Sequence, residues 1–169
     1  MSRPVVALAS LAAFVLAASA SYAADNALGP TAKGVVQKYA LTLDGAKRAA
    51  AAAEAEAVKN GWSVVIAVAD EGGSLVFLQR LDGTQAASSE IAARKAQTAA
   101  LFKRPTKALE EAVAGGRVSL LSLPNITPLE GGVPVLYKGQ IIGAIGVSGV
   151  QSSQDAQVAK AGADALAQE

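Results

Sequence analysis

The chain is 169 residues long, 51% hydrophobic and 4% aromatic, with 15 Lys+Arg against 14 Asp+Glu and neither His nor Cys. This length and apolar share suit one domain with a real core, while a net charge of +1 offers no basic face for nucleic acid. Without His and Cys there is no Ser-His-Asp triad, thiol nucleophile, disulfide, HExxH site or Cys-type zinc site, so no metal set is assigned.

The first 23 residues read as an export signal. Met1 to Arg3 carry one positive charge, Pro4 to Ala20 carry none, and both Ala18-Ser19-Ala20 and Ser21-Tyr22-Ala23 match a small-x-small cleavage site. A membrane anchor is the alternative, but alanine-rich runs are only weakly hydrophobic. The expectation is a periplasmic or secreted chain with no stable membrane span after cleavage. Residues 24–35 read as a flexible leader and residues 36–169 as the domain. Cleavage would also remove Met1, the sole methionine.

From Leu43 to Asn60 the sequence predicts a helix, with Thr42 as N-cap and Gly61 as stop. Trp62 to Leu81 predicts a β-hairpin that turns at Asp70-Glu71-Gly72-Gly73. Ser88 or Ser89 caps a helix running to Phe102, and Thr106 to Ala114 forms a shorter one ending at Gly115-Gly116. Val118 to Leu123 reads as a short strand. Val133 to Tyr137 and Gln140 to Val147 form a second hairpin around Lys138-Gly139. A last helix runs from Ser152 to Ala167, with Asp155 close to a capping-box position. Hairpins interspersed with helices give an α+β fold: an antiparallel sheet of about five strands with helices packed on it. The 39 alanines favour helix but bring little area to a core, which must rest on Val, Ile and Leu.

Few motifs carry chemistry. Gly143, Gly146 and Gly149 fall every third residue, which is the wrong spacing for a dinucleotide turn and fits close backbone contact instead. Asp70-Glu71 sits at a hairpin tip and needs no catalytic explanation. Glu130-Gly131-Gly132 lies in a Pro-bearing loop that either presents one carboxylate and backbone N–H groups to a ligand or simply turns a corner. Arg94 and Lys95, beside Thr98, and the following Lys103, Arg104 and Lys107 form either a solvated helix face or an anion site for carboxylates.

Three stretches then resemble a known family. These are Trp62 to Asp70 followed by Gly72-Gly73, the Ala93-Arg94-Lys95-Ala96-Gln97-Thr98-Ala99-Ala100 helix, and Leu129-Glu130-Gly131-Gly132-Val133-Pro134-Val135 leading into Gly139 to Gly149. With Gln154 to Ala161, the chain from about Val36 onward is similar to the GlcG/HbpS-like family, which includes haem-binding proteins and the C-terminal domain of PduO. The resemblance implies a homo-oligomer, often an octamer, and binding of haem or a related tetrapyrrole in some members. Slow oxidative haem degradation in the haem-binding branch is implied as well. No position matches an axial His, Cys or mature Met; Tyr39, Tyr137, a Lys or a Thr hydroxyl would have to serve, or haem would be held by burial and propionate pairing.

Two expectations follow. The first is an exported small-molecule-binding protein with haem as the ligand, held by Arg94, Lys95, Thr98, Glu130, Gly131, Gly132 and Tyr137. The second is an enzyme or accessory protein of the glycolate-operon type, acting on a small hydroxy or oxo acid with Glu130 as the acid–base group.

Overall fold

In a computed structural model that describes residues 33–167, the chain divides into a unit of residues 1–38 and a unit of residues 39–169. The expected signal and most of the leader lie outside the described residues. Residues 33–38 hold a turn and no helix or strand. Every regular element among the described residues belongs to the second unit, which is an α+β domain.

Thr42 begins helix α1 (Leu43–Lys59) by accepting a hydrogen bond from the Gly45 N–H at 3.1 Å, as its N-cap role predicts. Strands β1 (Val65–Asp70) and β2 (Leu75–Arg80) form the first hairpin. Helices α2 (Ser88–Phe102) and α3 (Thr106–Ala114) follow, and α2 stops where Lys103 turns left-handed at φ 52°. Strands β3 (Gly132–Tyr137) and β4 (Gln140–Ser148) form the second hairpin, before α4 (Ser152–Ala167) closes the fold. The turn between them places Lys138 at φ 47° and Gly139 at φ 77°, the doubly left-handed pattern that suits a two-residue hairpin.

The sheet has four antiparallel strands in the order β2-β1-β4-β3, one fewer than the sequence predicts. The missing strand is Val118–Ser122, which coils instead into a 3₁₀ turn with no buried residue. Its apolar run packs on α3 and reaches no sheet edge, so there is nothing for it to pair with.

Two layers cover the sheet. On one face α1 and α4 pack over Ile66, Val68, Ile145, Val147 and Val135, and α1 contributes a stripe of Ala46, Ala49, Ala50, Ala53 and Ala57. On the other face α2 lies over Val65, Ala67, Ala69 and Ala144. The approach there is close: a Cβ on Gly146 would stand 2.2 Å from the Ala92 carbonyl oxygen. Only glycine lets the helix backbone sit that near the strand. Because both faces are covered, β1 is buried almost end to end.

Candidate functional site

The helical phase of α2 decides what its polar side chains can do. Ala92, Lys95, Ala96 and Ala99 fall at spacings of three and four, so they share the face turned to the sheet. Lys95 is therefore 2% exposed, whereas Arg94, one position round the helix, stands in solvent paired with Glu90 at 2.6 Å. Near the end of β4, Lys95 Nζ donates to Asp155 Oδ2 at 2.9 Å and to the Val147 carbonyl at 3.0 Å. The second carboxylate oxygen of Asp155 accepts from the Val150 N–H at 3.2 Å. Burial pushes the Asp155 carboxyl above the ordinary carboxylate range, against the pull of the Lys95 ammonium.

Two threonines extend this seam. Thr98 Oγ1 accepts from the Thr127 N–H at 2.9 Å and donates to the Asn125 carbonyl. Thr106 Oγ1 accepts from the Gly132 N–H at 2.9 Å. Lys95, Asp155, Thr98 and Thr106 are all buried, and no buried side-chain polar atom among the described residues lacks a partner. Together they grip the segment 125–132 from its inner side.

That grip explains the paired glycines. Gly131 sits at φ 124°, where a Cβ would meet Lys95 Nζ at 2.8 Å and the Val147 carbonyl oxygen at 2.9 Å. A Cβ on Gly132 would stand 2.5 Å from the Lys95 carbonyl oxygen. The outer side of the same segment is open. It walls a groove of about 320 Å³ together with Pro105, Val133, Pro134, Leu136 and the Ala156, Ala163 and Ala167 face of α4. Lys107 and Lys160 stand on its rim. Lys107 pairs with Glu130 at 3.0 Å, which holds the ammonium above its usual range, and Lys160 pairs with Asp164. Glu130 is further fixed through its N–H, which donates to the Glu110 carboxylate at 2.7 Å.

The predicted site residues thus separate into four places. Lys95, Thr98, Gly131 and Gly132 come together, with Lys95 and Thr98 already satisfied from within the chain. Glu130, Gly131 and Gly132 face the groove. Arg94 lines a separate hollow beside Gly72-Gly73 and Leu75. Tyr137 lies at the far end of β3 against Tyr39, with ring centroids 5.0 Å apart. Sequence reasoning placed Asp155 near a capping-box position, and one carboxylate oxygen does reach back to the Val150 N–H; it missed that the other neutralises Lys95. Gln154 adds a second reach back at that helix start, its side chain accepting the Gln151 N–H at 3.2 Å. It also missed Lys160 and the small-residue face of α4, which the spacing of Ala156, Ala163 and Ala167 could have revealed.

Residues 41–164 match the family model described as haem degrading protein HbpS-like. Protein GlcG of Escherichia coli strain K12 is 52% identical over 111 residues, which covers 66% of this chain and 83% of that protein. The crystal structure of HbpS matches with a TM-score of 0.74 at 37% identity, covering 82% of this chain and 99% of that one. The crystal structure of the PduOC–haem complex matches with a TM-score of 0.68 at 28% identity, covering 76% of this chain and 96% of the other.

Proposed function

The chain belongs to the HbpS-like family, and from that membership we propose that it binds haem or a related tetrapyrrole in the groove between the Glu130–Pro134 segment and α4. The observation that carries this reading is the groove's make-up. It has a smooth apolar wall of Val133, Pro134 and Leu136, an alanine floor, and lysines on its rim. A flat aromatic guest with two carboxylates needs that combination of apolar contact and nearby cations. Likeness to a haem complex of PduOC supports it.

The residues fit the macrocycle better than they fit its iron. Lys107 and Lys160 would share their present carboxylate partners with the propionates, and the alanine and proline surfaces would hold the ring. When bound, haem supplies redox chemistry at its iron. The chain, which has no His or Cys and whose sole Met is Met1, leaves that iron to oxygen or amine donors. Export to the periplasm or beyond belongs to the same proposal, supported by the sequence of residues 1–23. So does homo-oligomeric assembly. The groove's volume lies at the small end for ligand sites, and a second copy laid across its open side would complete it.

Haemin titration of the full chain tests the reading. A saturable Soret change at micromolar protein is expected, with a spectrum unlike that of bis-imidazole iron, and weaker binding in Lys107→Ala/Lys160→Ala. No saturable change removes haem.

A second reading, chemistry on a small hydroxy or oxo acid, draws on one observation: the Glu130 carboxylate is held in the groove by Lys107. Glu130→Gln would abolish turnover of such acids while leaving assembly intact; retained turnover removes Glu130 from that role.

A further inference from the structure

The only two tyrosines among the described residues, Tyr39 and Tyr137, touch each other. Their ring centroids are 5.0 Å apart and their planes cross at 80°, an edge-to-face contact between a residue before α1 and one at the end of β3. The contact is anchored, because the Tyr39 N–H donates to the Gln140 side-chain oxygen at 2.9 Å, across the hairpin turn from Tyr137. Both rings are half-buried, so each keeps access to solvent. Lys138 Nζ lies 5.2 Å from the Tyr137 ring centre and 5.6 Å from that of Tyr39. An ammonium so placed opposes positive charge on either ring, so oxidation there must proceed with loss of the phenolic proton.

The rest of the chain sharpens the picture. With no Cys, no His and its sole Met at position 1, the chain leaves Tyr39, Tyr137 and Trp62 as the readily oxidised side chains of the described region. Trp62 is half-buried against the same core as the two tyrosines, but the ring contact is between the tyrosines. A chain without cysteine also cannot staple itself by a disulfide.

We propose that Tyr39 and Tyr137 are a built-in site of oxidative cross-linking, joined as an intramolecular dityrosine when the protein meets a one-electron oxidant. Each phenol gives up one electron and one proton. The two neutral radicals couple through ring carbons ortho to the hydroxyls, and the displaced ring hydrogens return to the oxygens. With hydrogen peroxide as the final acceptor, the two electrons and two protons reduce it to two waters. The new bond ties the segment before α1 to the β3–β4 hairpin and closes most of the domain into a covalent ring. This chemistry does not depend on haem binding.

The test is photo-oxidation of the full chain by a ruthenium tris-bipyridyl sensitiser with persulfate, without haemin. The expected product is a single chain lighter by two hydrogen atoms, with dityrosine fluorescence and one cross-linked peptide pair carrying Tyr39 and Tyr137. Tyr39→Phe and Tyr137→Phe, which keep the ring contact, should each abolish it, and unfolding in urea before illumination should sharply reduce it. The proposal is overturned if no intrachain link forms, if the link involves Tyr22 or joins separate chains, or if it survives in either Phe variant. Equal yield from the unfolded chain overturns it too.

Discussion

The Glu130–Pro134 segment has two sides built on opposite principles. Its inner side is dry, polar and saturated: an ion pair, two hydroxyls and two glycines fit against one another with no room for a methyl group. Its outer side is apolar, open and loosely charged, with exposed rim lysines paired to acids. The contrast shows how a short loop is made into a wall. Rigidity comes from behind, through α2, α3 and α4, which leaves the exposed face free to be smooth. Inner residues therefore set stability, and on the proposed reading outer ones set affinity.

Breaking the inner side should cost most where it strands a charge. Lys95→Met leaves the Asp155 carboxylate buried without its cation and should lower stability by about 3–5 kcal/mol in denaturant melts. Replacing both partners, as in Lys95→Met with Asp155→Leu, should cost clearly less than the two single losses added together. The sign of the titration follows from the same geometry. Because the folded carboxyl of Asp155 is raised by burial, its contribution to stability is full below its unfolded-state value and declines as pH rises through the folded one. Carbon-detected NMR of Asp155 should give a midpoint above that of a free aspartate, and one higher still in Lys95→Met.

Gly132→Ala comes next. Its methyl would collide with the Lys95 carbonyl and with Thr106, at a cost of about 1–3 kcal/mol, toward the upper end because backbone cannot yield. Thr106→Val orphans the buried Gly132 N–H and should cost about 1–2 kcal/mol, with Thr106→Ser restoring most of it. Lys107→Ala lies at the other extreme. It should move the thermal midpoint little, since the lysine itself is exposed, yet weaken haemin binding in a salt-dependent way.

The same division governs what the sequence made readable. Most helix ends and hairpins were legible because their signals are local: Thr42 before α1, Asp70 to Gly73 between β1 and β2, and Lys138-Gly139 between β3 and β4; the expected Ser88 or Ser89 cap of α2 was not, because Ala87 holds that position and both serines lie inside the helix. Val118–Ser122 misled because an apolar run specifies burial without specifying a partner strand. Within the candidate site, the Glu130-Gly131-Gly132 loop was visible as glycine chemistry. The pairing of Lys95 with Asp155 was not, since it joins residues 60 positions apart on helices that cover opposite faces of the sheet, meeting beside the Val147 carbonyl of β4. One signal was overlooked. Lys95 shares its helical face with Ala92, Ala96 and Ala99, so it could not have been on the solvated side with Arg94.

The alanine layers have a consequence for how this sequence can drift. Where α1 is lined by Ala49, Ala50 and Ala53, and α2 approaches Gly146 backbone to backbone, the spacing between layers is set by methyl groups and bare hydrogens. Such an interior has almost no slack for growth. Larger residues would force whole helices outward rather than a few rotamers aside, so variants that keep this fold should exchange alanine mainly for glycine or serine at those positions.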